Sequence, residues 1–519
     1  MPPHKPSSPV RRTFLKRSAA AGIAATATPW LLSESGLERL GRVSAAEAVL
    51  PPGSVRFDEA IEPVVRLLED TPRSRVIEET ASRIANNQLS YRELLSGLLL
   101  AGIRNIQPRP SVGFKFHAVL VVNSAHLASL ASPDSDRWLP MLWAVDAFKA
   151  SQARDTQEGN WTMSAVDEQA VPHADQAAAR FRQAMTDWDE AAADVAAAAI
   201  ARDMPPAAAF DIFTEFAARD FRSIGHKVIY LANAYRTLQT IGWQSAEPVL
   251  RSLAYAMLNH EGEPNPAKAD LEADRDGRRN RELVASLPAG WQAGRIDAGA
   301  TTELLHALRT ASSADATALC VEQLKQGVGA PSIYDALFAA SAELTMRQPA
   351  IVPLHAMTTT NAIHYCVNTC TNDATRRFLL LQNVAFLARF REAAIARGAL
   401  AKAWIDELEP ADDQAADDAL PRVFATLGKN SPAAARQLLA YLQAGHSADA
   451  ALRYARQLIF LKGDDAHDYK YSSAVLEDYQ HVSAEWRDRY LAAALFKMRN
   501  DNEPTTPLVH RIRDALAAS

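Results

Sequence analysis

Residues 94–103, LLSGLLLAGI, place leucine or isoleucine at positions 94, 95, 98, 99 and 103. Steps of three and four residues put these side chains on one face of an α-helix, whereas a half-buried strand would alternate every second residue. The same spacing recurs in residues 228–238 and through most of the chain. Residues 117–122 are the stretch most compatible with a strand, and they fit a buried helix equally well. We therefore predict an all-α protein.

The composition agrees with a helical chain and excludes several classes of function. Hydrophobic residues make up 48% of the 519 residues and aromatic residues only 7%, which suits an aliphatic core better than an aromatic-rich barrel. The net charge of −6 provides no basic field for nucleic acid, so no nucleic-acid partner is expected. Three cysteines cannot form a disulfide framework, and we expect Cys366 and Cys370 to be small buried core residues.

The N-terminal residues have the features of an export signal. Residues 10–16, VRRTFLK, resemble the twin-arginine motif, with Val10 where Ser or Thr is usual, and an Ala-Glu-Ala cleavage site follows at 46–48. The apolar stretch 18–32 is too short to span a bilayer core of about 30 Å, and no other apolar run is long enough. We predict that residues 1–48 direct the folded protein through the twin-arginine translocation machinery. The product is then periplasmic or extracellular, with no membrane span after the signal is removed.

Two stretches of the chain share an order of residues that suggests an internal duplication. In each, a His is followed after six residues by an Asn and after nine by a second His, and a third His follows about 100 residues later. The residues concerned are His117, Asn123, His126 and His226 in the first stretch, and His355, Asn361, His364 and His467 in the second.

These matches predict two repeated helical halves that form one large bundle-like or array-like body. The predicted boundaries are 49–258 for the first half, 259–300 for a connecting segment, and 301–519 for the second half. The acidic run 270–277 within the connection is expected to be solvated.

The six paired histidines are candidate metal ligands, because imidazole is the commonest side-chain ligand of late first-row metals. Copper or iron is the expected metal, in a site between the two halves. Nine residues turn a helix by about 900°, so His117 and His126 could share a metal only if His117 precedes the helix or opens it. Pro353 makes an opening position plausible for His355. The two Asn residues share a helix face with His126 and His364 and could orient them or contact substrate.

Two segments resemble the questin oxidase-like family, in which a Leu-His-Ala-x-Thr element recurs. They are residues 225–230 (GHKVIY) and 353–358 (PLHAMT). The resemblance implies an all-helical fold and an oxygen-dependent oxidation or ring opening of polyphenolic substrates.

Three hypotheses about function remain open at this point. The first is an exported oxidoreductase that oxidises a small organic or aromatic molecule at the histidine-rich site, with His226, His467, Asn123 and Asn361 in catalytic roles. The second is a non-catalytic helical scaffold or binding protein, whose histidines would lie scattered in the core. The third is a metal-free hydrolase or isomerase in which one His acts as general base with a carboxylate such as Asp220 or Asp468.

Overall fold

A computed structural model describes residues 55–108, 114–258, 264–265, 269–412 and 419–518 of the chain. The described residues belong to one compact unit. The structure is 71% helical, and no strand occurs within the part of the chain that is described. The prediction of an all-α fold is therefore confirmed, and residues 117–122 are helical except Val121, which lies between two helices.

The predicted export signal, residues 1–48, lies outside the described residues. Helices of the first predicted half run from α1 to α11 and are mostly short. Their bounds are α1 Glu62–Asp70, α2 Val76–Ala85, α3 Tyr91–Asn105, α4 His117–Leu120, α5 Val122–Leu130, α6 Trp138–Glu158, α7 Ala174–Asp187, α8 Glu190–Asp203, α9 Pro206–Ala217, α10 His226–Ile241 and α11 Ala246–Met257.

The remaining helices include the two longest of the second half, α16 and α17. Their bounds are α12 Glu272–Leu283, α13 Ala298–Leu308, α14 Ser313–Lys325, α15 Ala330–Arg347, α16 Ile351–Thr369, α17 Asp373–Ile395, α18 Leu420–Leu427, α19 Ser431–Gln443, α20 Ala448–Lys462, α21 Ala466–Asp478, α22 Arg487–Ala494 and α23 Pro507–Ala517. None of the described helices combines the length and the apolar character needed to cross a bilayer.

The expectation that residues 270–277 form a solvated linker is wrong for Asp274 and Asp276, which are buried in the first turns of α12. Asp270, Glu272 and Arg275 of the same run are exposed. Asp274 accepts two hydrogen bonds from Arg222, and Asp276 pairs with Arg389 at 2.8 Å. Burial is possible because each carboxylate has a cationic partner from a distant part of the chain, and Asp276 has a second one in Arg279 of the same helix, at 2.7 Å.

One large hydrophobic core extends through both predicted halves and contains the leucines of α3. That helix starts with a capping box in which Ser90 accepts a hydrogen bond from the backbone of Glu93, whose carboxylate accepts one from the Ser90 backbone. Helices α10 and α21 both pack against α16 in this core, and α4 contacts α10 and α21. The prediction that the halves are repeats of each other stays a prediction.

Candidate metal centre

Four of the six paired histidines meet where α4, α10, α16 and α21 come together. Their ring centroids lie 5.0 Å apart for His117–His226, 4.5 Å for His226–His355, 5.2 Å for His355–His467 and 4.2 Å for His467–His117. We call these four residues the histidine cluster. Two of them come from the first predicted half of the chain and two from the second.

Each ring is carried by the beginning of a helix. His117 and His226 are the first residues of α4 and α10, His467 is the second residue of α21, and His355 is the fifth residue of α16. Pro353 occupies the third position of α16, where a missing N–H costs no intrahelical hydrogen bond. His355 lies in the second turn of α16 and does not open it, so the position expected for it is not found. His355 and His364 belong to this one continuous helix, and the structure does not bring them together.

A close approach of two backbones holds α10 against α16. Gly225 precedes α10 with φ of +81°, and a Cβ built on it would lie 1.9 Å from Thr359 Oγ1 of α16. Only glycine fits this conformation without strain and leaves room for Thr359. The glycine therefore sets the separation between the helices that carry His226 and His355.

The tautomers of His226 and His355 follow from their backbone partners. Nδ1 of His226 lies 2.8 Å from the carbonyl oxygen of Ser223, and Nδ1 of His355 lies 2.7 Å from that of Ile351. A carbonyl oxygen can only accept, so each Nδ1 carries the proton and each neutral ring has its lone pair on Nε2. These two Nε2 atoms face each other at 2.9 Å. Two lone pairs at this distance repel unless a cation lies beside both of them.

His467 is oriented by the carboxylate that caps its helix. Asp465 Oδ1 accepts hydrogen bonds from the His467 backbone N–H at 2.7 Å and from its Nδ1 at 2.5 Å. Nε2 of His467 is buried and has no hydrogen-bond partner. Metal-binding histidines commonly have this arrangement, in which a carboxylate accepts a hydrogen bond from one ring nitrogen and the other nitrogen is free to bind the metal.

His117 has a different partner, the side chain of Lys470. The two nitrogens, His117 Nδ1 and Lys470 Nζ, lie 2.5 Å apart in a buried setting. Burial lowers the pKa of Lys470 to about 7. Near neutral pH, Lys470 is therefore present both as the ammonium and as the neutral amine. The ammonium donates a hydrogen bond to His117 Nδ1, whereas the amine accepts one from an Nδ1–H.

Burial keeps the cluster uncharged. It lowers the pKa of His226 to about 3 and the pKa values of His117 and His355 well below the usual range, and the nearby Lys470 charge acts in the same direction. The pKa of His467 is lowered less, since its bond to Asp465 opposes the effect of burial. Neutral imidazoles are the form that binds metals.

The distances allow one ion to be shared. One ring nitrogen from each of His117, His355 and His467 lies within 4.8 Å of the others, and this is the one such group of His, Cys, Asp or Glu among the described residues. His226 adjoins the group through its contact with His355. The expectation that histidines of the chain could hold a metal is supported to this extent.

A cavity of about 540 Å³ opens onto the cluster. His117 and His467 are in its wall, whereas His226 and His355 are not among its lining residues. Trp143, which also lines it, stacks on Tyr469 with ring centroids 4.2 Å apart. A small molecule in this cavity would reach the side of the cluster formed by His117 and His467.

Two of the predicted ligands lie elsewhere. Nδ1 of His126 lies 2.8 Å from the hydroxyl of Tyr91. His364 accepts a hydrogen bond from Asn368 at 3.0 Å and packs against Tyr334 and His481. Neither residue belongs to the histidine cluster, because α5 and the later turns of α16 direct them to aromatic neighbours.

The two predicted Asn residues also have other surroundings. Asn123 is buried on α5. Asn361 donates to Glu477 at 2.9 Å and to Asp478 at 2.8 Å, both at the far end of α21 from His467. Asn361 therefore joins α16 to α21 at a point away from the histidine cluster.

Asp465 and Lys470 were not predicted as partners of these histidines. The carboxylates named for a general-base role are engaged differently: Asp220 pairs with Lys227 at 2.8 Å, and Asp468 pairs with Arg499. The sequence carries one usable signal, an Asp two residues before His467 at a position that can cap a helix. The Lys470–His117 contact joins residues 353 positions apart and has no local signal.

We compared the chain with protein-family models, with characterised proteins and with solved structures, and none of the three comparisons gives a match.

Proposed function

We propose that this chain is an exported, metal-dependent oxidoreductase that binds copper or iron at the histidine cluster and oxidises a small organic molecule in the adjoining cavity. The observation that carries the proposal is the group of ring nitrogens from His117, His355 and His467, which lie within 4.8 Å of one another. His226 adjoins this group through its Nε2 atom, which faces the Nε2 atom of His355. Both atoms have lone pairs, they lie 2.9 Å apart, and neither has a proton to share. A metal ion beside both nitrogens removes the repulsion.

A proton between the two rings is the competing explanation of this contact. It would place a positive charge on a pair of rings with 4% and 1% exposure, close to the buried Lys470. A charge in such a place is costly without a counter-ion, and Asp465 is bonded to His467 instead. A metal held by His117, His355 and His467 would also engage the free Nε2 of His467, which a proton on His226 or His355 would not.

The proposed reaction favours copper or iron over zinc. Imidazole is a ligand of all three metals, but zinc has no redox chemistry. Copper(I) and iron(II) both react with oxygen.

The protein supplies the remaining requirements of such a reaction. Asp465 fixes the His467 ring, the backbone carbonyls of residues 223 and 351 fix the rings of His226 and His355, and the cavity admits a substrate from the His117 side. Molecular oxygen is the proposed electron acceptor. The resemblance of residues 225–230 and 353–358 to the questin oxidase-like family supports an aromatic substrate, and both segments carry residues of the cluster.

Location is part of the proposal. Export through the twin-arginine machinery accounts for the motif at residues 10–16 and allows the metal to be inserted before the folded chain leaves the cytoplasm. A periplasmic or extracellular enzyme of this kind needs no membrane span.

Oxygen consumption tests the proposed reaction. The chain is produced with its export signal, loaded with copper or with iron, and supplied with phenols and hydroxyquinones in an oxygen-electrode assay. We expect uptake that a chelator abolishes and that His355→Ala lowers at least about 100-fold. His364→Ala, on the same helix but outside the cluster, should keep wild-type uptake. Uptake that survives both the chelator and His355→Ala would contradict the proposal.

One observation favours a second candidate, a metal-free hydrolase or isomerase. Asp465 and His467 form a carboxylate–imidazole pair whose free Nε2 belongs to a residue that lines the cavity, and such a pair can act as a general base. In that case turnover is insensitive to chelators and to His355→Ala but is lost in His467→Ala. The response to the chelator and to His355→Ala therefore separates the candidates.

A further inference from the structure

The charged groups of the cavity wall are paired, with one exception. Arg73 forms two hydrogen bonds with Asp146 at 2.9 and 2.7 Å, Asp464 pairs with Arg499 at 2.6 Å, and Asp465 bonds to His467. Arg154 also lines the cavity. Of the cavity's charged side chains that the structure describes, Arg154 alone has neither a hydrogen bond nor an ion pair.

Arg154 belongs to the face of α6 that forms one wall. Trp143, Ala147, Ala150 and Arg154 follow one another at steps of four, three and four residues, so they lie on one side of the helix, and all four line the cavity. The two alanines leave a flat apolar surface between the Trp143 ring and the guanidinium. A molecule lying on this wall would have its apolar body on the alanines and Trp143.

The segment that carries His117 is fastened to the same turn of α6. Lys115 Nζ lies 2.8 Å from Asp155 Oδ1 and 2.8 Å from Glu158 Oε2, and the Lys115–Asp155 pair is buried. Lys115 is two residues before His117, and Asp155 is next to Arg154. Lys115 thus links the segment that carries His117 to the turn of α6 that contains Arg154, whose side chain is exposed.

The electrostatics of the cluster also favour a negative ligand. Helices α10, α16 and α21, each longer than eight residues, begin at the cluster, and the beginning of a helix carries a partial positive charge. Lys470 is buried beside His117, and Asp465 is bonded to the His467 ring. A metal adds further positive charge, which an anion can offset.

We propose that the cavity selects an organic anion with an apolar body, whose carboxylate or equivalent acidic oxygen group is bound by Arg154 while its other end meets the histidine cluster. This inference rests on the proposed function for the reaction at the cluster and adds the class of substrate. Arg154 is a specificity residue in this account, because its guanidinium can form paired hydrogen bonds to two oxygens of one group.

Binding of benzoate and benzamide tests this inference. The two molecules have nearly the same shape, but only benzoate is charged. Calorimetric titrations compare the wild type with Arg154→Gln, Arg154→Lys and Arg422→Gln, each with and without bound copper. Arg422 lies on α18, is exposed and does not line the cavity, which makes it a matched control.

We expect the wild type to prefer benzoate over benzamide and Arg154→Gln to weaken benzoate binding at least about tenfold, with benzamide binding unchanged. Arg154→Lys should recover part of the affinity, and Arg422→Gln should match the wild type. Equal benzoate binding by the wild type and Arg154→Gln overturns the inference.

The two proposals fail in different ways. If copper does not bind but Arg154→Gln still weakens benzoate binding to the copper-free protein, the metal proposal fails and the anion subsite stands. If copper binds to every variant and benzoate binds regardless of Arg154, the anion subsite fails and the metal proposal stands. Copper binding by Arg154→Gln also shows that this variant is folded.

Discussion

The Nε2 atoms of His226 and His355 lie 2.9 Å apart, and each ring already donates its Nδ1 proton to a backbone carbonyl. Two helices from distant parts of the chain bring these lone pairs together, at a position where neither ring can give the other a hydrogen. A cation beside both nitrogens would relieve the repulsion between these lone pairs, and the contact therefore supports the proposed metal site.

Substitution of Gly225 tests whether the spacing of α10 and α16 matters to the site. A methyl group at this position would overlap Thr359, so we expect Gly225→Ala to lower the free energy of unfolding by about 2–4 kcal/mol and to weaken copper binding. Gly290→Ala is the matched control: Gly290 also has positive φ, of +75°, but a Cβ there would meet nothing within 4 Å.

Denaturant unfolding and copper titration of both variants distinguish the effect of backbone strain at a positive φ from the effect of steric overlap with Thr359. Gly290→Ala should lose about 1–2 kcal/mol from backbone strain and bind copper normally. If both variants lose the same stability and both keep wild-type copper affinity, the close approach of the helices has no role in the site.

Substitution of Asp465 tests the orientation of His467. Asp465→Asn keeps the shape of the side chain but removes the charge that holds the Nδ1 proton, so copper affinity should fall about 10- to 100-fold. Asp464→Asn is the control, because this neighbour also lines the cavity but pairs with Arg499. Competition titrations with a chelator of known affinity measure the effect, and an unchanged affinity in Asp465→Asn would remove Asp465 from the site.

The acid sensitivity of the metal-free protein follows from buried histidines, and His364 gives the clearest case. Burial lowers its pKa to about 3 from the ordinary 6.5, so between these values the unfolded chain binds a proton that the folded chain does not. Its contribution to stability is full above about pH 6.5 and is lost as the pH falls towards 3.

We therefore expect unfolding free energy measured in a chelator to fall on acidification, and His364→Gln to reduce that slope by about 1.4 kcal/mol per pH unit between roughly pH 6 and 4. His306→Gln is a suitable control, since the side chain of His306 is half exposed. A His364→Gln slope equal to that of the wild type would show that His364 is not buried as a neutral ring.

The helical fold could be predicted because periodicity of three and four residues is a local property, visible in residues such as Leu94, Leu98 and Ile103. The meeting of His117, His226, His355 and His467 is not local. The matched spacing identified six candidate histidines but did not distinguish these four from His126 and His364. A separation of nine residues along the chain does not determine which neighbouring helix a histidine ring contacts. The buried carboxylates of α12 were missed for the same reason: their cationic partners are Arg222 and Arg389, far away in the sequence.

The repeat itself remains a prediction, although its members behave alike in one respect. His126 and His364, which occupy matching places in the two halves, both lie outside the histidine cluster and both contact a tyrosine ring. The other four histidines of the pattern also match in pairs, His117 with His355 and His226 with His467. They supply the four rings of the cluster.

The metal content of the full-length protein, produced with residues 1–48 in place, tests the central claim most directly. Elemental analysis is applied to the wild type, to a His226→Ala/His355→Ala variant and to a His126→Ala/His364→Ala control, all purified without chelator. The account predicts about one copper or iron ion per chain in the wild type and in the control, and less than about a tenth of that in the first variant. Equal metal in all three proteins, or none in the wild type, would contradict it.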